Sequence, residues 1–286
     1  ESLTMPATID ASTRRQFLRT LSALGGAAAA APFIGSVRSA PPATAPGKSA
    51  DAHSQITMGS EDIVILIYPG FTAIDAVGPE YILSGMMGAK VRFVAKTASP
   101  VKCETGYGVV PELTFRDCPR RPTLFLVPGG TAGTLETLND PETMTFIRET
   151  GGAAEMAGSV CTGSLLLGGA GLLNGYEATS HWQTRELLPL VGAKPVDERV
   201  VFDRDRVTGA GVTAGLDLAL RLVQRYRGDF YTKGMSLLAE YDPQPPIPGG
   251  GNPGTADPSV VSLLNEMHKP FVALFGETLK HTAGGR

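Results

Sequence analysis

The sequence predicts an α/β protein in which a mostly parallel sheet is layered between helices. Three observations predict it. Short continuous apolar runs, rather than alternating ones, recur at Ile63–Tyr68, Val91–Ala95 and Thr123–Val127. Such runs mark strands buried on both faces, as in a parallel sheet. Helical patterns lie between them, which is the order of an α/β layered domain. Distinctive residues follow three candidate strand ends: Pro69-Gly70, Pro128-Gly129-Gly130 and Cys161-Thr162-Gly163. In parallel sheets, sites form at the carboxyl ends of strands.

The elements follow in order. Residues 63–68 form the first strand, stopped by Pro69-Gly70, and residues 79–87 read as a helix. Residues 91–95 and 123–127 are the second and third strands. Asp140-Pro141 starts a helix to Glu149, with an acidic cap and proline in the first turn. An apolar run then reaches Cys161, and residues 162–173 continue as a helix. Residues 199–203 and 206–209 pair through a tight Asp-Arg-Asp turn. Thr213 to Tyr226 carries an apolar face made by Leu216, Leu220, Leu222 and Val223. The proline- and glycine-rich arm after Tyr241 cannot be regular structure. Asp257-Pro258 caps a last helix to about Leu279, which packs on the domain or on a second subunit.

The chain has 286 residues and a formal net charge of −3. That balance does not suit a nucleic-acid partner, which calls for a basic face. No internal apolar stretch is long enough for a membrane span. The N-terminus reads as targeting rather than fold. Arg14 and Arg15, with Phe17 and Leu18 behind them, precede a weak apolar run and the small-residue exit Ser36-Val37-Arg38-Ser39-Ala40. This layout resembles a twin-arginine export signal. The expected organisation is a signal over 1–40, a disordered linker over 41–60, a catalytic domain over 61–243, and an arm with C-terminal helix over 244–286. The expected location is periplasmic or otherwise exported, with no stable membrane insertion after signal cleavage.

Three cysteines leave at least one thiol unpaired. Cys103 and Cys118 either pair across a hairpin or are simply small apolar residues. Cys161 stands where a strand turns sharply into a helix. A side chain there is exposed in a strained backbone, as in a nucleophile elbow. The helix N-terminus would lower the thiol pKa and favour the thiolate. Gly163 would let helix and strand pack closely. A thiolate needs a partner that moves protons. Asp75 follows the first strand and is either a solvated cap or a carboxyl facing Cys161. Apolar neighbours would raise its pKa. The N–H groups of Gly129 and Gly130 could hold an anion, or the glycines could simply make a tight turn. His53, His181, His268 and His281 show no ligand spacing, so no metal is expected. No phosphate loop or dinucleotide fingerprint is present, and no cofactor is expected. His181 either assists Cys161 or is structural, stacked by Trp182.

Four segments carry a resemblance to a known family: I-Y-P-G-F-T-A-I-D-A-V-G-P-E, L-V-P-G-G, V-C-T-G-S-L-L-L-G-G-A-G-L-L-N-G-Y-E-A-T-S-H-W and G-V-T-A-G-L-D-L-A-L-R-L-V. Together they resemble the ThiJ/PfpI superfamily of class I glutamine-amidotransferase-like domains, over roughly residues 62 to 260. The resemblance implies a flavodoxin-like three-layer sandwich and a homodimer. Within the superfamily the likeness is to the isonitrile hydratase subgroup, and the segment E-Y-D-P-Q-P-P-I-P-G-G-G-N-P, from Glu240, also resembles that subgroup's tail.

It implies hydration of a small isonitrile to an N-formamide. Cys161 would be the nucleophile, Asp75 the proton donor and acceptor, and Thr162, Gly129 and Gly130 would orient substrate and water. Ile74 and Trp182 would wall an apolar pocket. Thr162 replaces the histidine of the peptidase branch. Ser159-Val160 departs from the usual glycine before the cysteine, and an export signal is unusual for the subgroup. Two other readings keep the site: an exported binding module that senses electrophiles or oxidants, and glyoxalase- or deglycase-like action on reactive aldehydes.

Overall fold

The computed structural model describes residues 57–284. The expected signal segment and most of the expected linker lie outside the described residues. A seven-stranded sheet forms the middle layer, in the order β10-β11-β7-β6-β1-β2-β5. Its strands are β1 (Asp62–Leu66), β2 (Lys90–Ala95), β5 (Leu113–Thr114), β6 (Leu124–Val127), β7 (Met156–Val160), β10 (Val200–Asp203) and β11 (Arg206–Gly209). Every neighbouring pair is parallel except the β10–β11 hairpin. Two small ribbons complete the strands: β3 (Val101–Lys102) with β4 (Gly108–Val109), and β8 (Glu177–Ala178) with β9 (Lys194–Pro195).

The chain runs from β1 outward to β2 and β5, then returns to lay β6 and β7 on the other side of β1. The connections therefore diverge between β1 and β6, where the loops leave a crevice at the carboxyl ends. β6 and β7 are buried throughout, in keeping with apolar runs rather than alternation.

On one side of the sheet α1 (Ala73–Ser84) packs against α5 (Ala214–Leu238). The other layer holds α2 (Ala132–Leu138), α3 (Pro141–Ala153), α4 (Gly163–Gly169), a 3₁₀ helix (Arg185–Val191) and α6 (Pro258–Gly284). The result is a flavodoxin-like three-layer fold. Phe71, Phe125 and Phe275 are each at most 2% exposed. Burial of each contributes about 2–3 kcal/mol.

Several boundaries differ from the sequence expectation, each for a tertiary reason. The first helix begins at Ala73, not at residue 79, so Pro79 lies inside it. A proline usually opens a helix because it lacks an N–H. Here the ring of Pro79 packs on the α5 backbone, where a Cβ added at Gly215 would lie 3.2 Å from it. Ala76 and Leu83 on the same helix are fully buried. That packing outweighs the one hydrogen bond lost at Pro79. The helix expected over 162–173 is shorter, 163–169. The helix after Asp140 extends to Ala153, and the Asp140 side chain accepts from the Glu142 N–H, as the sequence indicated.

The helix expected to stop at Tyr226 continues to Leu238 through a break at Gly228, whose φ is +78°. Just before the break, Arg227 grips Glu61 with both terminal nitrogens at 2.5 Å, and its side chain is 3% exposed. Beyond it, the Tyr231 hydroxyl accepts from Met87 N–H and donates to the Gly85 carbonyl. This fastens the end of α1 to α5.

Cys103 lies inside the β3–β4 ribbon, with Sγ 3.1 Å from Thr105 Oγ1, and Cys118 follows β5. Both thiols are free, as is Cys161. Residues 242–257 are irregular. Among the described residues no helix is long and apolar enough to cross a membrane.

Candidate active site

Cys161 sits between β7 and α4 with a φ of +59°. The left-handed region costs a residue with a Cβ about 1–2 kcal/mol. The surroundings hold it there. Its N–H donates to the Gly209 carbonyl at 3.0 Å. Its own carbonyl accepts from Ser164 Oγ and Ser180 Oγ, each at 3.2 Å. At Gly163 an added Cβ would stand 2.2 Å from the Val127 carbonyl oxygen. Only glycine permits that approach of α4 to β6, as the sequence suggested.

Asp75 enters from α1. It lies in the first turn of that helix rather than in the loop before it. The residue is 0% exposed. Its Oδ2 accepts from the Gly129 N–H at 3.0 Å, whereas Oδ1 has no hydrogen-bond partner among the described residues. Burial pushes its pKa up to about 8, helped by the negative charge of Glu104 and opposed by the Gly129 N–H. The carboxyl is therefore mostly protonated at neutral pH.

The thiol departs from expectation in direction. Burial, and then the neighbouring Asp75 carboxyl, hold the Cys161 pKa well above its ordinary value. The Thr162 backbone N–H faces the sulfur and works the other way. A helix of seven residues cannot offset full desolvation. The resting site is thus a thiol beside a carboxylic acid, with two protons available and no fixed charge.

Gly129 and Gly130 are not free donors, which corrects the expectation of an anion hole. The Gly129 N–H is taken by Asp75, and the Gly130 N–H donates to Thr162 Oγ1 at 3.0 Å. Their role is spatial. A Cβ at Gly129 would lie 2.7 Å from Thr162 N and 2.9 Å from Asp75 Oδ2. The Thr162 hydroxyl donates to the Gly130 carbonyl at 2.8 Å and contacts Thr134 Oγ1 at 2.9 Å. The Tyr68 hydroxyl, 2.9 Å from the same Thr134 oxygen, donates to the Pro128 carbonyl. The Thr162 side chain therefore ties the elbow to the β6 loop, and its backbone N–H is the group facing the sulfur.

A cavity of about 240 Å³ opens above Cys161 and Thr162. Thr72, Glu104, Gly130 and Thr131 line one side. His181, Trp182, Gln183, Thr184 and Val212 line another, and Leu264, His268, Phe271, Val272 and Phe275 of α6 close it. Trp182 takes the wall position that the resemblance implied. Ile74 does not: it is 43% exposed and shares an outward apolar stripe with Val77 and Tyr81. His181 is half-buried, and burial lowers its pKa to about 4, so it is neutral at pH 7. Its ring is tilted by 38° to Trp182 at 5.9 Å rather than stacked.

Glu104 and the α6 residues were missed by sequence reasoning. Leu264, His268, Phe271, Val272 and Phe275 follow one helical face. That signal reveals an inward face, not the cavity it meets. Among the described residues no cluster of three metal-capable side chains occurs.

A thiol on a strained elbow, at the carboxyl end of a flavodoxin-like sheet beside its switch point and facing a buried carboxylic acid, defines a class of α/β proteins built around a reactive cysteine. The chain belongs to the DJ-1/PfpI family, whose model matches residues 61–225. It is 40% identical over 221 residues to isonitrile hydratase of Pseudomonas putida, covering 77% of this chain and 96% of that protein. It is 24% identical over 159 residues to a glutathione-independent glyoxalase of Caenorhabditis elegans, covering 54% and 84%. Among solved structures, a ThiJ/PfpI family protein from Pseudomonas syringae matches with a TM-score of 0.79 and 44% identity, over 83% of this chain and 98% of that one.

Proposed function

We propose that the protein is an isonitrile hydratase-like enzyme, converting a small isonitrile and water to an N-formamide. The observation that carries this reading is the pairing of a thiol that lines a small, largely apolar cavity with a buried, protonated carboxyl behind it. The likeness to isonitrile hydratase supports it. An isonitrile carbon must receive both a nucleophile and a proton. Asp75 gives its proton to that carbon as the Cys161 sulfur bonds to it. The thiol proton passes to Asp75, and the product is a thioimidate, R–N=CH–S–Cys161. Water then adds across the C=N bond, its oxygen to carbon and a proton to nitrogen, with Asp75 carrying the transfer. The C–S bond breaks, the hydroxyl proton returns to sulfur through Asp75, and R–NH–CHO leaves. No net proton is gained or lost, as one carboxyl cycling between acid and base requires. The Thr162 N–H stabilises charge that develops on sulfur.

The test is formamide production from alkyl and aryl isonitriles by the unmutated protein, Cys161→Ala and Asp75→Asn. The expected result is turnover only in the first. Absence of formamide from the unmutated protein, with Cys161 still open to alkylation, rejects the reading. A second reading, action on reactive aldehydes, draws on His181, a neutral base lining the same cavity. Methylglyoxal consumption without isonitrile turnover would select it. Oxidant sensing is less well supported, because burial keeps the thiol in its less reactive form. The twin-arginine pattern supports action outside the cytoplasm.

A further inference from the structure

The cavity above Cys161 is asymmetric in charge. Among the described residues no lysine or arginine lines it. Its far wall is apolar, made by Trp182, Val212, Phe271 and Val272. Glu104 is the carboxylate at its rim. That residue is exposed and follows β3 in the ribbon. Its backbone N–H donates to the Phe71 carbonyl at 3.0 Å, which anchors the ribbon over the loop after β1. Among the described residues it enters no ion pair. Its charge is felt at the bottom of the site, where it acts as a like charge on both Asp75 and Cys161. A single sign of charge beside low-dielectric walls focuses its field into the opening.

We propose that Glu104 is a specificity-determining residue: it excludes anionic substrates from Cys161 and admits neutral or cationic molecules with apolar substituents. In the hydratase reading, on which only the identity of the substrate rests, alkyl, aryl and amino-substituted isonitriles pass, and carboxylate-bearing ones do not. Asp75 adds no repulsion of its own while it carries its proton. A neutral isonitrile meets no electrostatic barrier, and its substituent lies against the α6 wall.

The experiment needs no isonitrile. Full-length protein is alkylated at pH 6.5, where Asp75 still holds its proton, with iodoacetamide, which is neutral, and with iodoacetate, which is anionic and nearly the same size. Modification of the Cys161 peptide is followed by mass spectrometry, which separates it from Cys103 and Cys118. The quantity read is the iodoacetamide-to-iodoacetate rate ratio, divided by that of a small free thiol. Changes in thiol ionisation affect both reagents and cancel. At low ionic strength, one like charge about a cavity width away makes this ratio up to about tenfold. The expected result is about tenfold in the unmutated protein, near unity in Glu104→Gln and below unity in Glu104→Lys. Raising the salt concentration should shrink the wild-type ratio. Equal ratios in all three proteins overturn the proposal, as does a ratio near unity in the unmutated protein. A change of both rates by the same factor in the variants assigns Glu104 to thiol ionisation alone and also overturns it. Loss of the hydratase reading would show separately, as absence of formamide with the charge ratio intact.

Discussion

Replacing Asp75 with asparagine separates what this carboxyl does for stability from what it does for chemistry. Asparagine reproduces the shape of a protonated aspartate. Its amide oxygen can accept from the Gly129 N–H, and its NH₂ can face the thiol. In the unfolded chain Asp75 titrates near 3.8, whereas in the folded protein it titrates at about 8. Between those values the folded state holds a proton that the unfolded state has released. The stabilising contribution is complete below about pH 4 and falls as pH rises, until it is lost above about pH 8. Each pH unit in that window costs about 1.4 kcal/mol. Across it the loss is on the order of 5 kcal/mol, a large part of a typical domain's stability.

Asparagine does not titrate, so Asp75→Asn should match the unmutated protein near pH 4 and exceed it by on the order of 5 kcal/mol at pH 8.5. Urea unfolding at pH 4, 6 and 8.5 measures this, and groups remote from Asp75 cancel in the difference. The variant should be more stable and inactive, as expected of a site that trades stability for function. Parallel stability curves for the two proteins would refute both the burial of a protonated carboxyl and the acid role assigned to it.

Three further outcomes follow from the same geometry. Gly129→Ala should lower stability by about 1–3 kcal/mol and reduce turnover, because its Cβ would press on Thr162 N and Asp75 Oδ2; thermal denaturation and kcat check it. Arg227→Ala should cost about 3–5 kcal/mol by leaving the largely buried Glu61 carboxylate unpaired; unfolding in guanidinium chloride reads it, and an unchanged midpoint would contradict the clamp at the α5 break. Phe275→Ala should cost about 3–5 kcal/mol and lower KM for bulkier isonitriles, because this 2% exposed ring both fills the core and closes the cavity; a KM series over substituent size tests the second part.

Much of the fold was legible because it is written in local patterns. Unbroken apolar runs at 63–68, 91–95 and 123–127 cannot alternate faces, so they had to lie inside a parallel sheet. Asp140-Pro141 announced a helix, because the cap and the proline satisfy its first turn by themselves. Cys161-Thr162-Gly163 announced the elbow, since a glycine at that junction has meaning only where strand and helix nearly touch. What the sequence could not supply were effects that depend on distant groups. Whether α1 starts at Ala73 or at Pro79 is decided by Gly215, far along the chain, which accepts the proline ring. Whether the thiol pKa falls or rises is decided by burial and by Asp75, not by the helix behind it.

The same division runs through the site. Sequence alone determined that a cysteine would stand on a strained turn at a strand end; that Asp75 faces it and Trp182 walls the pocket was what the family resemblance implied. Only the tertiary structure decided that the N–H groups of Gly129 and Gly130 already have acceptors, that Ile74 faces outward, and that Glu104 and the last helix complete the cavity. The physical reason is one of range. Hydrophobic periodicity, capping and glycine freedom act within a few residues and can be read along the chain. Desolvation, hydrogen-bond saturation and electrostatic fields depend on every group within several ångströms, and those groups come together only when the chain has folded.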